Sequence, residues 1–187
     1  MSASTPASAS APDPATAPSP AGSPDSGTAP GAAPAHHLAQ INLGLLKAPL
    51  DDPSMKGFTD QLEPVNALAD RSPGFVWRLI EQGGSDATGL RPFGPNTIIN
   101  FSVWRDVETL WDFTYRTDHL DLLRRRRTWF ERMDGVLVAL WWIPAGTIPT
   151  VEEAGRKLDL VREIGPSPEA FTLRTPFPPP ASHPQHA

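Results

Sequence analysis

Apolar and polar residues alternate along three short stretches of the chain, as they do in strands with one buried face. These stretches are Leu38–Leu46, Phe75–Glu81 and Thr97–Trp104. A fourth stretch, Val136–Ile143, is apolar on both faces. A period of two predicts strands, and a strand that is apolar on both faces needs cover on both sides. The pattern therefore predicts four strands, one of them buried on each face.

After the first strand, the apolar residues are spaced as in an amphipathic helix. Apolar residues recur every three or four positions at Met55, Phe58, Leu62, Val65 and Ala69. An Asp at position 51 or 52 predicts the N-cap of this helix, and Pro64 predicts a kink or a split inside it.

Two further helices are predicted after the third and fourth strands. The first of them starts near Val107 with Asp106 as its cap and extends to Trp129, with a bend or break at 117–118. The second has Thr150 as its cap and Glu153 in a capping box, and it ends near residue 164.

The predicted order is β-α-β-β-α-β followed by a C-terminal helix. This is the split βαβ pattern of a ferredoxin-like fold, in the α+β class. If helices covered only one face of a single sheet, the other face would be exposed to solvent. The fourth strand therefore favours a second subunit as the cover, and hence a homodimer.

Composition divides the chain into one domain and two tails. Of the first 35 residues, 26 are Ala, Pro or Ser, so this segment lacks the apolar surface that folding needs. We expect disorder in residues 1–36 and 179–187, and a single domain in residues 37–178. There is no Cys, no apolar run of membrane-spanning length, and a net charge of −5. These features argue against disulfides, a membrane span and general nucleic-acid binding, and favour a cytoplasmic protein.

A small-molecule pocket is predicted between the first and third strands and the second helix. The two strands are neighbours in a ferredoxin-like sheet, which brings Gln40, Asn42, Asn100 and Ser102 onto one face. Spacings of i, i+4 and i+8 place three helix side chains on a shared face: Trp111, Tyr115 and His119. Together they would form a site with an aromatic wall, amides and one imidazole. The alternative is that the polar strand residues form a satisfied cluster within the sheet or face the partner subunit, and that the helix face is ordinary core.

Two other groups of residues carry weaker signals. Arg124–Arg127 wraps a full helical turn, so its members are either surface residues or, in part, an anion site. The remaining histidines show no spacing typical of a metal site, and no metal is predicted.

Several segments resemble the bacterial domain-of-unknown-function family numbered 3291. They are LAQINLGLLKAPLDDPSMKGF, SPGFVWRL, NFSVWRDVETLWDFTYRTDHLDLLRRRRTWF, LWWIPAGTIPTVEEAGRKL and GPSPEAFTLR. The resemblance implies the dimeric α/β-barrel superfamily, which includes antibiotic-biosynthesis-type monooxygenases and haem-degrading enzymes. Some of the haem-degrading members use an Asn on the first strand with a Trp and a His on the second helix. Asn42, Trp111 and His119 match those residue types, but the Trp-to-His spacing differs.

The leading hypothesis is a small-molecule enzyme or binding protein of the monooxygenase type that needs no cofactor. In it His119 accepts a proton, and Asn42 or Asn100 holds an enolate or peroxide oxygen. Asn100, Ser102, Trp111 and Tyr115 would contact the substrate. One alternative is a non-catalytic dimeric module that binds a ligand or a protein. Another is a haem protein with His119 as axial ligand.

Overall fold

The protein forms a four-stranded sheet with helices on both faces, in a computed structural model that describes residues 34–117 and 119–181. For His119, Asp121 and Leu122 it describes the backbone only. The segments of the predicted tails at 1–33 and 182–187 lie outside the described residues, as does Asp118.

The elements follow the predicted order. They are β1 (His36–Leu45), α1 (Lys56–Arg71), β2 (Phe75–Arg78), β3 (Thr97–Trp104), α2 (Val107–Arg116), α3 (His119–Arg125), β4 (Val138–Pro144) and α4 (Val151–Ile164). Short 3-10 turns at Pro53–Met55 and Arg126–Thr128 precede α1 and follow α3. Within the described ranges, no helix is long and apolar enough to cross a membrane.

Local sequence signals set most of these boundaries. β3 has the predicted bounds, and α2 begins at the predicted Val107 because the Asp106 carboxylate accepts a hydrogen bond from the Thr109 amide at 2.8 Å. The helix breaks at Thr117, whose backbone is extended. The predicted split at Pro64 does not occur, since α1 continues past this exposed residue. Packing of the later α1 turns on the sheet holds the helix together there.

The strand order is β2-β3-β1-β4, and every neighbouring pair is antiparallel. With its βαβ connections this is the ferredoxin-like topology, as predicted. β1 and β3 are the central strands, and Asn42 of β1 lies opposite Asn100 of β3.

One sheet face, which we call the α4 face, is sealed by the chain itself. Its residues include Ala39, Ile41, Phe101, Val103 and Trp141, all of them buried. They pack against buried side chains of α4 and of the long connection between β2 and β3: Ala87, Ala154, Leu158 and Val161. The apolar pattern of β4, which favoured a second subunit as the cover, is therefore accounted for without one. The cover comes from the same chain, and a homodimer stays a prediction without that support.

The opposite face, the α1 face, is covered over only part of its length. At one end Leu38 and Trp104 are buried under α1 and α2, and the Trp104 ring stacks on Phe113 at 4.9 Å between centroids. At the other end the sheet presents Asn42 and Asn100. Since α2 ends at Arg116, it does not continue over this region as the predicted long helix would.

Candidate small-molecule cleft

A cleft of about 830 Å³ lies on the α1 face, at the end where the sheet presents its two asparagines. Its floor consists of residues from β1 and β3: Asn42, Gly44, Ile98 and Asn100. The volume lies within the range of roughly 300–1,000 Å³ that is usual for small-molecule sites.

Two walls rise from this floor. The first is a face of α1, formed by Phe58, Gln61, Leu62, Val65 and Asn66. The second, which we call the aromatic wall, is the segment 129–133 that follows α3. Backbone hydrogen bonds tie it to β1, from the Glu131 amide to the Leu45 carbonyl at 2.8 Å and from the Lys47 amide to the Trp129 carbonyl at 3.0 Å.

A glycine in β1 makes room for the aromatic wall. A Cβ atom at Gly44 would lie 2.7 Å from a ring carbon of Phe130, which is closer than carbon atoms approach each other. The Phe130 ring in turn meets Phe58 of α1 edge to face, with centroids 5.1 Å apart. The absence of a side chain at position 44 thus sets the position of one wall and its contact with the other.

The floor carries two side-chain amides that are open to the cleft. Asn100 is the one exposed residue of the eight in β3, and Asn42 is half-buried. Neither amide has a hydrogen-bond partner within the described part of the chain. Each amide can both donate and accept, so the pair can hold a ligand oxygen from two sides.

Ser102 and Gln40, predicted beside these asparagines, lie further along the same face but are not in the cleft lining. The Ser102 hydroxyl donates to the Gln40 side-chain oxygen at 2.9 Å and accepts from the Trp104 indole N–H at 3.0 Å. All three side chains are buried. Ser102 and Gln40 therefore belong to a satisfied polar cluster, which was the alternative to lining the pocket.

Trp111 and Tyr115 share a helix face as predicted, with ring centroids 4.4 Å apart. That face is not the one α2 turns to the sheet, since Leu110 and Phe113 are its buried residues there. Neither Trp111 nor Tyr115 lines the cleft. The side chain of His119 lies outside the described residues. Its backbone begins a separate helix, α3, after the break at Thr117.

The sequence did not predict the basic side chains around the cleft as part of its site. We call Lys47, Arg126, Arg127 and Arg132 the basic rim, and all four line the cleft. The run of arginines was visible in the sequence, but its place beside β1 depends on the long-range bridge between Leu46 and Phe130. Among the described residues, no group of three His, Cys, Asp or Glu is placed to hold a metal ion.

Fold and cleft together define an α+β protein of ferredoxin-like topology with a half-open cleft of small-molecule size. The family model described as a domain of unknown function (DUF3291) matches residues 37–187, and the chain belongs to this family. The resemblance read from the sequence is thereby confirmed. Comparison with curated proteins finds no match.

Three solved structures resemble the chain distantly. SnoaB, a cofactor-independent oxygenase from Streptomyces nogalater, is 16% identical with a TM-score of 0.42, and the match covers 62% of this chain and all of SnoaB. PA3566 from Pseudomonas aeruginosa is 14% identical (TM-score 0.42; 61% of this chain, 98% of that one). NE2512 from Nitrosomonas europaea, a protein of unknown function, is 16% identical (TM-score 0.40; 63% and 98%). Similarity this low does not transfer an activity to the chain.

Proposed function

We propose that the chain binds a small, largely apolar organic molecule in the cleft and holds an oxygen atom of that molecule with the amides of Asn42 and Asn100. The observation that carries the proposal is the pair of amides at the floor, aligned across β1 and β3 and without a partner among the described residues. A hydrogen bond that a ligand supplies to such a group contributes roughly 0.5–1.5 kcal/mol.

The surroundings favour a ligand with a flat or apolar body. Phe58, Leu62, Val65 and Phe130 present apolar surface from both walls. Burial of apolar ligand surface contributes about 25 cal/mol per Å² before the cost of association is subtracted. A carbonyl or hydroxyl group on such a body would face the asparagines, which fixes its orientation.

A neutral fluorescent naphthyl ketone, prodan, tests the proposal directly. We expect it to bind with a blue-shifted emission, and Asn100→Leu to weaken the binding by about fivefold to tenfold, from loss of one hydrogen bond. Asn96→Leu is the matched control, because Asn96 is exposed just before β3 and does not line the cleft. We expect no change with it.

A second variant makes a negative result informative. Val65→Trp places a large ring between α1 and the floor, and it should abolish prodan binding while the protein stays folded. Equal binding by wild type and Val65→Trp, or no binding by wild type, would contradict the proposal.

Catalysis in the cleft is a further step beyond binding. The proposed oxygenase chemistry needs a base, and the sequence assigns that role to His119 and the oxygen-holding role to Asn42. Asn42 lies at the cleft floor, which supports its part of the hypothesis. Both catalytic roles stay predictions.

A further inference from the structure

The charge of the cleft is opposite in sign to that of the chain. Its described lining contains five basic side chains, the basic rim and Arg78, and only two acidic ones, Asp86 and Glu131. The whole chain carries a formal net charge of −5. An excess of one charge in a concave region raises the local concentration of ligands of the opposite charge.

Two of these charged groups are already engaged. Arg78 forms an ion pair with Asp70 at 2.8 Å, outside the cleft lining. The Asp86 carboxylate accepts hydrogen bonds from the Thr88 amide at 2.8 Å and from the Thr88 hydroxyl. Arg78 is therefore neutralised by its partner, whereas hydrogen bonds from Thr88 leave the charge of Asp86 in place. The described lining still has the four basic groups of the rim against the two carboxylates of Asp86 and Glu131.

The basic rim itself is concentrated at one edge of the cleft. Lys47 donates to the backbone carbonyl of Arg127 at 2.5 Å, which joins the end of β1 to the turn after α3. Arg126, Arg127 and Arg132 are exposed and have no carboxylate partner among the described residues. Guanidinium groups bind oxyanions through paired N–H donors, which gives them direction as well as charge.

Resting on the proposed function, we propose that the natural ligand is an amphipathic organic anion. Its apolar or aromatic body lies between α1 and the aromatic wall, and its carboxylate or other oxyanion lies at the basic rim. The floor amides then contact a polar atom of the body at the other end. The basic rim and the asparagines would thus fix both ends of the ligand.

A matched pair of fluorescent probes tests the charge preference. N-phenyl-1-naphthylamine is neutral, and 8-anilinonaphthalene-1-sulfonate adds an oxyanion to the same ring system. We expect wild type to bind the sulfonate roughly tenfold more tightly than the neutral probe, with a preference that weakens as salt is added.

The combined variant Arg126→Gln and Arg132→Gln should remove most of that preference by weakening sulfonate binding about tenfold and leaving the neutral probe unchanged. Arg156→Gln is the control, because Arg156 is an exposed arginine on α4, on the opposite side of the sheet. It should leave both affinities as they are. Denaturant unfolding of each variant checks that the fold is retained.

The outcomes separate this inference from the proposed function. Equal binding of both probes, blocked by Val65→Trp, would overturn the anion preference and leave small-molecule binding intact. Loss of sulfonate binding in Arg156→Gln as well would also overturn it, by assigning the effect to general surface charge. If Val65→Trp blocks neither probe, the cleft is not a binding site and both proposals fail.

Discussion

At the scale of single residues, Asn100 stands apart from the rest of β3. It stands at the centre of an interior strand whose other seven residues are buried. Asn is a poor strand former, so strand propensity does not favour it here. The proposed contact with a ligand would account for an amide at this exposed position.

Gly44 supports a prediction of its own. Gly44→Ala forces the Phe130 ring away from β1, since the added methyl group would lie 2.7 and 2.8 Å from two ring carbons. We expect the variant to lose about 1–3 kcal/mol of unfolding free energy, as crowded core sites do. Urea denaturation measures this loss.

Gly155→Ala is the matched control for that substitution. Gly155 lies inside α4, and the nearest atom to an added Cβ, on the Phe93 ring, is 3.4 Å away. Here Ala should stabilise the protein by up to about 1 kcal/mol, because Gly is a poor helix former. If Gly44→Ala were as stable as wild type, or more stable, the close packing of Phe130 on β1 would be contradicted.

At the scale of elements, the start of α2 depends on one carboxylate. Burial raises the pKa of Asp106, but hydrogen bonds from Arg105 and from Thr109 outweigh that effect, so its pKa lies below the usual value. The same pairing raises the pKa of Arg105. The ionised carboxylate is therefore the form that stabilises the helix N-terminus.

This cap should lose its effect in acid. Asp106→Ala should cost about 0.5–2 kcal/mol at pH 7. A pKa below that of the unfolded chain means that the ionised cap contributes fully above about pH 3.9 and is lost as pH falls through the folded-state value. The gap between wild type and variant, measured by urea unfolding, should therefore narrow toward pH 3.

Thr150→Ala provides the comparison. The Thr150 hydroxyl accepts from the Glu153 amide at 3.1 Å and caps α4 without a charge. Its loss should cost a similar amount at both pH values. A cost of Asp106→Ala that did not change with pH would show that the charge of this cap is irrelevant.

Elements were predicted well where the deciding information is local. The alternation of β3 and the caps Asp106 and Thr150 are all read from neighbouring residues, and the structure confirms them. The second residue of the predicted capping box acts differently. The Glu153 side chain accepts from the Trp141 indole at 2.7 Å instead of returning to the helix start. That bond joins α4 to β4, and no local pattern contains it.

At the scale of the whole molecule, α4 stabilises the protein through the side chains that it buries against the α4 face of the sheet. Leu158 is fully buried between α4 and the sheet. Leu158→Ala should cost about 2–5 kcal/mol, because it leaves a cavity in the core. Ile164→Ala, at the exposed end of the same helix, should cost no more than about 0.5 kcal/mol.

Sedimentation of wild type tests the predicted homodimer, and the same two variants show whether Leu158 takes part in it. If Leu158 acts within one chain, its replacement changes the unfolding midpoint and leaves the particle mass equal to that of wild type. A changed mass with an unchanged midpoint would instead place Leu158 at a subunit contact.

The cleft shows where prediction from the sequence stops. Neighbouring strands in a ferredoxin-like sheet place Asn42 beside Asn100, and the structure aligns them as expected. The aromatic wall was not predicted, because it reaches the site through contacts with β1 more than 80 positions away in the sequence. Long-range pairing of this kind leaves no periodic signal, although a Gly in a central strand marks a close approach of another segment.

The two parts of the cleft differ in how strongly a substitution in them would disturb the core. Asn42 and Asn100 belong to strands that also carry the sealed core on alternate positions, so shifts in those strands disturb packing on the far face. The segment 126–133 carries five exposed side chains, Arg126, Arg127, Thr128, Glu131 and Arg132, and is hydrogen-bonded to the end of β1. Substitutions in that segment can therefore change the charge of the cleft while the core beneath the sheet stays the same.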